Sequence, residues 1–488
     1  MQLSDIKKQI DGTCGRLSVN AEVRGVALHS RDVRPGWIFV AIPGASIDGL
    51  RYAEDAVRRG AVAVVTESVA GERLSVPVIT VADARLAAAR LAAILNGWPA
   101  RSLKVVGITG TNGKTTVAHM VRAGLQRSGM VPGMTGTIAY EIGERRIAAS
   151  RTTPDALTLQ DLLRQMVVHG CRSAVMEVSS HALSQSRVAD IDFAVAGFTN
   201  LTREHLDYHQ TMDAYYEAKA LLFRRLVGTA TAVINRDDAW GVRLLQEPLV
   251  CRRLSYGLAP GADIAAETLK LSLEGSTFQV HTPWGAQAVR LLLPGRHNVS
   301  NALAAIGLCI AAGADLPSTL QALEGVSMVR GRLERVPAAV PFRVFVDYAH
   351  TDDALRHVLA ALRPLTPGRL IVVFGCGGNR DRGKRALMGA VAVELADIVV
   401  VTSDNPRQES PSVIIDEILV GVGDHPVEVA VERREAIRLA LALAREGDTV
   451  LIAGKGHETY QEAGGIMAPF NDVDVVQDEL ATLAKGAS

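Results

Sequence analysis

The chain has 488 residues, 48% hydrophobic and 21% charged, which is material for two to four packed domains and excludes disorder as its main state. Lys and Arg number 52 and Asp and Glu 52, which excludes a polybasic surface over the whole protein, though not a local basic site. Aromatic residues, at 4%, are too few for a reading built on base stacking, so no nucleic-acid partner is expected.

The opening MQLSDIKKQIDGTCGRLSVN has no apolar segment after a basic start and does not read as a secretory signal. GWIFVAI, AVAVVTE and VPVITV follow as short strands, and ARLAAARLAAILNGW has helical spacing. Turn residues in NGWPARSL mark a junction, so a first domain is expected over 1–98. LKVVGITG opens a second block, in which SAVMEVSS, IDFAVAGFTN and TAVINRDD are further buried strands. A second break, VRGRLERVPAAVPF, bounds a central domain at 99–331 and a third domain at 332–488. In that last block FRVFVDYAH, LIVVFGCGG, DIVVVTSDN and DTVLIAGKG each end in a Gly, Asp or Asn turn and lead into a helical pattern. This is the rhythm of an α/β, doubly wound parallel sheet, whose ligands sit at the strand C-termini. RREAIRLALALAREGD is interrupted by charge and reads as a packed helix, and no membrane span is expected. Cys14, Cys171, Cys251, Cys309 and Cys376 form no CxxC pair, which points to free thiols in a reducing cytosol rather than zinc or disulfides.

VVGITGTNGKTTVAHMV carries the clearest chemistry. A buried strand runs into Gly110, Thr111, Asn112, Gly113, Lys114, Thr115 and Thr116 and then into a helix. Glycines let backbone N–H groups approach phosphate oxygens, and the helix N-terminus adds a favourable dipole. Lys114 is expected to reach the β/γ-phosphates and the Thr115 hydroxyl to ligate Mg²⁺. The strict G-x-x-x-x-G-K-[ST] pattern is not met, because its first glycine falls at Ile108, which indicates a particular subclass of phosphate loop.

Further along, Glu177 ends an apolar strand, His205 follows another, and Lys219 lies on a helix. Each has an ordinary structural reading: Glu177 as a cap or ion-pair group, His205 and His209 as loop histidines, Lys219 as a solvated group or a partner of Glu217. Their joint occurrence after a phosphate loop favours a metal and nucleotide site.

GTNGKTT, MEVSSHAL, TNLTREHLDYH, YEAKALLF, HNVSNALAA, VRGRLERV and DYAHT occur in the order found in the Mur ligase family, the ATP-dependent amino-acid ligases of peptidoglycan synthesis, which the chain resembles over essentially its whole length. SRDVRPGWIFVAIPG, SDNPRQE and GKGHETYQ are most similar to the members that join meso-2,6-diaminopimelate to UDP-N-acetylmuramoyl-L-alanyl-D-glutamate. The resemblance implies three domains: one for the UDP-substrate, a central P-loop ATPase with a mostly parallel sheet, and a C-terminal Rossmann-like domain for the amino acid. It implies a cytoplasmic monomer acting on small molecules. The D-glutamate carboxylate is phosphorylated by ATP to an acyl phosphate, which the incoming amine attacks.

Residue by residue, the resemblance makes Lys114 the group that neutralises the transferred phosphate and Thr115 and Glu177 the holders of the first Mg²⁺. His205 belongs to the second metal environment, Lys219 is the lysine carbamylated by CO₂, and Arg332 is the hinge arginine. Asn298 and Asp347 match the adenine and ribose side. Leu28, Ser30, Ala45, Ser46 and Ile47 match the uracil and pyrophosphate edge, and Thr152, Thr153, Ser179, Gln185 and Arg187 the muramoyl dipeptide contacts. Asp404, Asn405, Pro406 and Arg407, with Arg380, Gly454 and Glu458, match the diaminopimelate site, Glu458 being suited to an ammonium. A planar arginine fork suits the second carboxylate that distinguishes diaminopimelate from lysine; taken alone, DNPR reads as an Asn-Pro turn.

Two positions depart from the family pattern. Arg151 stands where close relatives often carry Asn, which removes the expectation of a substrate contact there, and Asp352 stands where Pro is usual. The competing readings are a sister ligase adding lysine or D-alanyl-D-alanine, a folylpolyglutamate synthetase, and an ATP-binding switch that ligates nothing. DNPR opposes lysine and SRDVRPG opposes folate. A switch has no need of Lys219, Arg407 and Glu458 together.

Overall fold

The computed structural model describes residues 1–13, 20–44, 47–68 and 74–486, so Cys14, Ala45 and Ser46 lie outside the described residues. It is a mixed α/β protein built on three sheets with parallel cores and one small hairpin. The first sheet has four parallel strands in chain order: Gly25–Ala27, Trp37–Ala41, Ala61–Thr66 and Val78–Thr80. The helix Ala84–Leu95 starts at Asp83, whose carboxylate accepts from the Arg85 and Leu86 N–H groups. Its Ala84, Ala87, Ala88 and Leu91, at helical spacing, share one core with Ile38, Val40, Ala63 and Val65 of the sheet.

The central sheet has eleven strands. Its parallel heart runs Arg252–Gly257, Thr231–Asn235, Phe193–Phe198, Lys104–Thr109, Ser173–Glu177 and Pro132–Thr135. The strand before the phosphate loop therefore lies between the strands that end at Phe198 and at Glu177, and all three release their loops at one edge. Sequence reasoning left out both flanks. Antiparallel strands Ala139–Ile142 and Arg145–Ala148 extend one side, and the meander Ile264–Ser272, Gly275–Thr282 and Gly285–Leu291 the other. The meander buries Ile264, Ala266, Phe278, Val280, Val289 and Leu291 in the same core as the helix Arg296–Ala311 and leaves its other face wet, so it lacks the continuous apolar runs that mark a central strand.

The third sheet runs Glu334–Arg335, Arg343–Asp347, Thr449–Ala453, Leu370–Phe374, Ile398–Val401 and Glu428–Val429, parallel except for its first edge. The last parallel strand in the chain, Thr449–Ala453, inserts between Arg343–Asp347 and Leu370–Phe374. The helix Asp352–Leu362, capped by Thr351, leads from the first parallel strand. Asp352 thus opens a helix, and the turn after Asp347 keeps its acid, whose oxygens accept from Leu333 N–H at 2.6 Å and Ala349 N–H at 2.8 Å. No helix among the described residues is long and apolar enough to cross a membrane.

Candidate active site

The phosphate loop turns through Gly110 and enters the helix Lys114–Arg127 at Gly113, where φ is +86°. That left-handed conformation suits glycine, and a side chain there would also meet the Asn301 amide. Thr111, Asn112, Gly113, Lys114, Thr115 and Thr116 line one side of a cleft of about 390 Å³. Glu177, His205, Asn298, Arg332 and Asp347 line the rest, with Thr152 and Ser179 at its margin. Gly110 is not among the lining residues.

Two lysines converge on one carbonyl. Lys114 Nζ donates to Gly110 O at 2.9 Å and Thr111 O at 2.7 Å, and Lys219 Nζ donates to Gly110 O at 2.8 Å. Lys219 is 1% exposed, so the solvated-helix reading fails. Burial, and then the charge of Lys114, push its pKa well below the ordinary lysine value, against the pull of Glu204. Burial lowers Lys114 as well, with Glu204 and Glu177 opposing.

Glu177 is held on both oxygens. Thr137 N–H donates to Oε1 at 2.8 Å, and the Thr115 and Thr137 hydroxyls donate to Oε2 at 2.9 and 3.0 Å. The Arg332 guanidinium, which lies over the Tyr348 ring at 4.9 Å, donates to Thr115 Oγ1 at 3.2 Å. Its Nε has no partner among the described residues. Thr153 is buried outside the cleft, where its hydroxyl donates to Glu177 O at 2.7 Å and accepts from Ser179 N–H at 3.0 Å. The Ser179 hydroxyl caps a short helix by accepting from Ala182 N–H. Asn298 donates to Pro294 O at 2.8 Å and accepts from Asn301 at 3.1 Å. Burial raises the Asp347 pKa, against Arg332.

His205 (φ +56°) sits in a ring cluster with His181 at 4.7 Å and Tyr215 at 6.1 Å. His209 stacks on Tyr215 at 5.0 Å and its Nε2 lies 2.9 Å from the Ser180 hydroxyl. Burial first, then neighbouring positive charge, holds His181 and His209 at about 4, and burial also lowers His205. Burial pushes Glu204 upward, but His205, Lys114, His350 and Lys219 together bring it below the ordinary carboxylate range.

A second cleft, of about 940 Å³, opens between the first sheet and the helix Ala156–Val168. Leu28, Ser30, Ile47, Gln185 and Arg187 line it. Gln185 Oε1 accepts from Arg187 Nε and Nη2 at 3.1 and 2.6 Å, and Arg187 Nη1 donates to Thr153 O at 2.9 Å, so the pair is rigid and tied to the Glu177 strand end. Arg151 also lines this cleft.

The third group gathers on loops after adjacent strands of the third sheet. Lys455 is fully buried; its Nζ donates to Asn405 Oδ1 at 3.0 Å and Glu458 Oε2 at 2.9 Å, and Asn405 Nδ2 donates to Glu458 Oε2 at 2.8 Å. Glu458, expected to face a substrate ammonium, already meets a lysine. Asp404 Oδ1 accepts from Asn405 N–H at 2.7 Å, and a side chain at Gly454 would collide with Asp404. Arg407, at φ +53°, follows Pro406; its Nη1 donates to Gly378 O at 2.8 Å and its Nε pairs with Glu462 at 3.3 Å. Arg380 is exposed on the neighbouring loop. His457 contacts the Tyr348 ring at 4.9 Å, which joins this group to the nucleotide-sized cleft.

Residues 22–95 match the Mur ligase family catalytic domain, 108–309 the Mur ligase middle domain, and 331–456 the Mur ligase glutamate ligase domain. A UDP-N-acetylmuramoyl-L-alanyl-D-glutamate–2,6-diaminopimelate ligase of Listeria monocytogenes is 42% identical over 479 residues, covering 97% of each chain. One of the same name from Gloeobacter violaceus is 46% identical over 464 residues, covering 94% of each. The chain belongs to the Mur ligase family. A solved structure of a UDP-N-acetylmuramoyl-L-alanyl-D-glutamate–2,6-diaminopimelate ligase superposes with a TM-score of 0.69 at 35% identity, covering 95% of both chains.

Within this Mur ligase, sequence reasoning passed over several groups at the site. Thr137 supplies two of the three bonds to the Glu177 carboxylate, and Lys455 bonds Asn405 and Glu458 together. Asn200 holds Asn112 by accepting from its N–H at 2.9 Å, and Glu204 is the acid facing both lysines. Thr137 lies in a plain TGTIAY turn, which carries no signal. Glu204 and Lys455 lie inside quoted motifs, where a carboxylate beside His205 and a lysine three residues before Glu458 were legible cues.

Proposed function

We propose that the protein joins meso-2,6-diaminopimelate to UDP-N-acetylmuramoyl-L-alanyl-D-glutamate with hydrolysis of ATP to ADP and phosphate. The observation that carries this is the convergence of Lys114, Glu177 and Arg332 on one cleft, with Lys219 bonded to the same Gly110 carbonyl as Lys114, and the cleft joined through Tyr348 and His457 to the loop of Asp404, Asn405 and Arg407. The curated relatives bearing this activity in their names support the choice of substrates.

A carboxylate oxygen of the D-glutamate attacks the γ-phosphorus and ADP departs. The resulting acyl phosphate is attacked by the amine; the C–N bond forms, the amine gives up a proton, and phosphate leaves with the former carboxylate oxygen. Lys114 swings from the carbonyls it now caps onto the transferred phosphate, and Arg332 turns its free Nε to the same charge. Positioning and charge neutralisation do most of this work.

Thr115 and Glu177 fit Mg²⁺. Their oxygens are 2.9 Å apart, close to the edge of an octahedron of oxygens at Mg²⁺ distances, about 2.9 Å. One carboxylate and one hydroxyl are few ligands from the protein, and Mg²⁺ commonly completes its shell with substrate phosphates and water. When bound, the ion neutralises phosphate charge, with His205 on the side of a second ion.

Lys219 is the carbamylation site. Only a neutral amine adds CO₂; burial favours that neutral form, and the charge of Lys114, which also disfavours the ammonium, would attract the anionic carbamate. Asn298 and Asp347 border the adenosine; Leu28, Ser30, Ile47, Gln185 and Arg187, with Thr152, Thr153 and Ser179, hold the nucleotide sugar; and Arg380, Asp404, Asn405, Pro406, Arg407, Gly454 and Glu458 form the amino-acid site. The reading includes a cytoplasmic monomer with domain junctions near 98 and 331.

The test is an acceptor labelled with ¹⁸O in its D-glutamate carboxylate. Label is expected in the released phosphate, and unlabelled phosphate would exclude the acyl phosphate.

A further inference from the structure

Asp353 reaches from the third sheet's unit into the phosphate loop. It lies in the first turn of the helix Asp352–Leu362, and its Oδ2 accepts from Thr202 Oγ1 at 2.6 Å and Asn112 Nδ2 at 3.1 Å. The partners are themselves parts of the loop's support. Asn112 N–H is held by Asn200, its carbonyl accepts from Thr199 Oγ1 at 2.6 Å, and its side-chain amide is thereby left to face the other unit. Thr202 N–H donates to Thr111 Oγ1 at 3.0 Å, and Thr111 Oγ1 lies 3.3 Å from the Tyr215 hydroxyl. The Tyr215 ring lies 4.5 Å from Lys219 Nζ. One carboxylate is thus joined, through Thr202, Thr111 and Tyr215, to the buried lysine. Its other oxygen, Oδ1, lies 3.4 Å from His357 Nδ1 on its own helix. Burial raises the pKa of this acid, but the His357, Thr202 and Asn112 bonds bring it below the ordinary value, so it is ionised at neutral pH.

We propose that Asp353 is a positioning residue that latches the amino-acid-binding unit onto the phosphate loop. The inference rests on the ligase reading. Amine attack requires the loops at 404–407 and 454–458 to be brought over the nucleotide, and Asp353 makes that docking conditional on Asn112 and Thr202 being in place. A charge-assisted bond across two units suits this role, since it is strong and geometrically selective.

The plain alternative is that Asp353 only complements the N-terminal dipole of its helix. Asp352 shares that first turn, while the bonds to Asn112 and Thr202 belong to Asp353, so Asp352 separates the two roles. The experiment compares steady-state ligation by the full chain and by Asp353→Ala, Asp353→Asn, Thr202→Val, the Asp353→Ala/Thr202→Val double variant and Asp352→Ala. The latch predicts that Asp353→Ala lowers kcat about tenfold, the cost of truncating one charged hydrogen-bond partner, with KM for the nucleotide sugar within about twofold. Asp353→Asn recovers part of the loss, Thr202→Val shows a similar loss, and the double variant is no worse than the worse single one, as for two ends of one contact. Asp352→Ala keeps its rate. Unchanged turnover in Asp353→Ala, an equal loss in Asp352→Ala, or losses that multiply in the double variant would overturn the latch alone. Should Asp353→Ala fail to fold, Asp353→Asn and Thr202→Val carry the same comparison. Absence of ligation by the unaltered chain would overturn the latch together with the ligase reading.

Discussion

A lysine ammonium buried beside a second lysine, both leaning on the Gly110 carbonyl, is held at a cost that water does not offset. The cost falls if Lys219 is neutral, and its repulsion from Lys114 becomes attraction if Lys219 becomes an anion. That is the physical case for carbamylation, and its sign is definite: a depressed pKa raises the share of free amine at a given pH, and protonation as the pH falls lowers it. Lys219→Ala is therefore expected to lower ligation by about a hundredfold or more, the scale seen when one electrostatic stabiliser is deleted from a site. Added acetate or propionate should restore part of it by placing a carboxylate in the vacated space. Near-normal turnover in the variant would remove the carbamate from the mechanism. That Lys219 matters was legible in the sequence only through its neighbours YEAKALLF; that it lies under the phosphate loop, 109 residues away along the chain, was not.

At the scale of elements, the strands that carry the site were read from their apolar runs, because parallel strands buried on both faces look alike wherever they occur. The half-buried meander Ile264–Leu291 was not, since its alternation is irregular. The loops after Leu370–Phe374, Ile398–Val401 and Thr449–Ala453 come together because Thr449–Ala453, last in the chain, inserts beside Leu370–Phe374 and runs parallel to it. Arg407 shows what that convergence does. Its left-handed backbone is fixed by Arg407 N–H donating to Glu462 O at 3.0 Å, while its side chain bridges to Gly378 on the adjacent loop. A substrate carboxylate would take the place of Glu462 as the partner of this fork. Arg407→Ala should accordingly cost about 1.5–3 kcal/mol of transition-state binding for diaminopimelate and far less for lysine, so that discrimination between them collapses. The ratio of kcat/KM for the two amino acids measures this, and an unchanged ratio would take Arg407 out of the specificity argument.

For the molecule as a whole, motifs in one chain order were enough to indicate three functional units, but the contacts between units are non-local and left no local trace. Asn112 and Asp353 are 241 residues apart, and Arg332 and Thr115 are 217 apart. These contacts place the nucleotide cleft between the second and third units, whereas the larger cleft lies between the first and second. Two substrates entering from opposite sides would meet at Glu177, whose strand end is tied to Arg187 through Thr153. The most direct measurement is phosphate release from ATP by the purified protein with UDP-N-acetylmuramoyl-L-alanyl-D-glutamate, run in parallel with meso-diaminopimelate, with lysine and with no amino acid. Release that requires both the nucleotide sugar and meso-diaminopimelate, with lysine near background, is the predicted result. Release that depends on neither substrate would contradict the account.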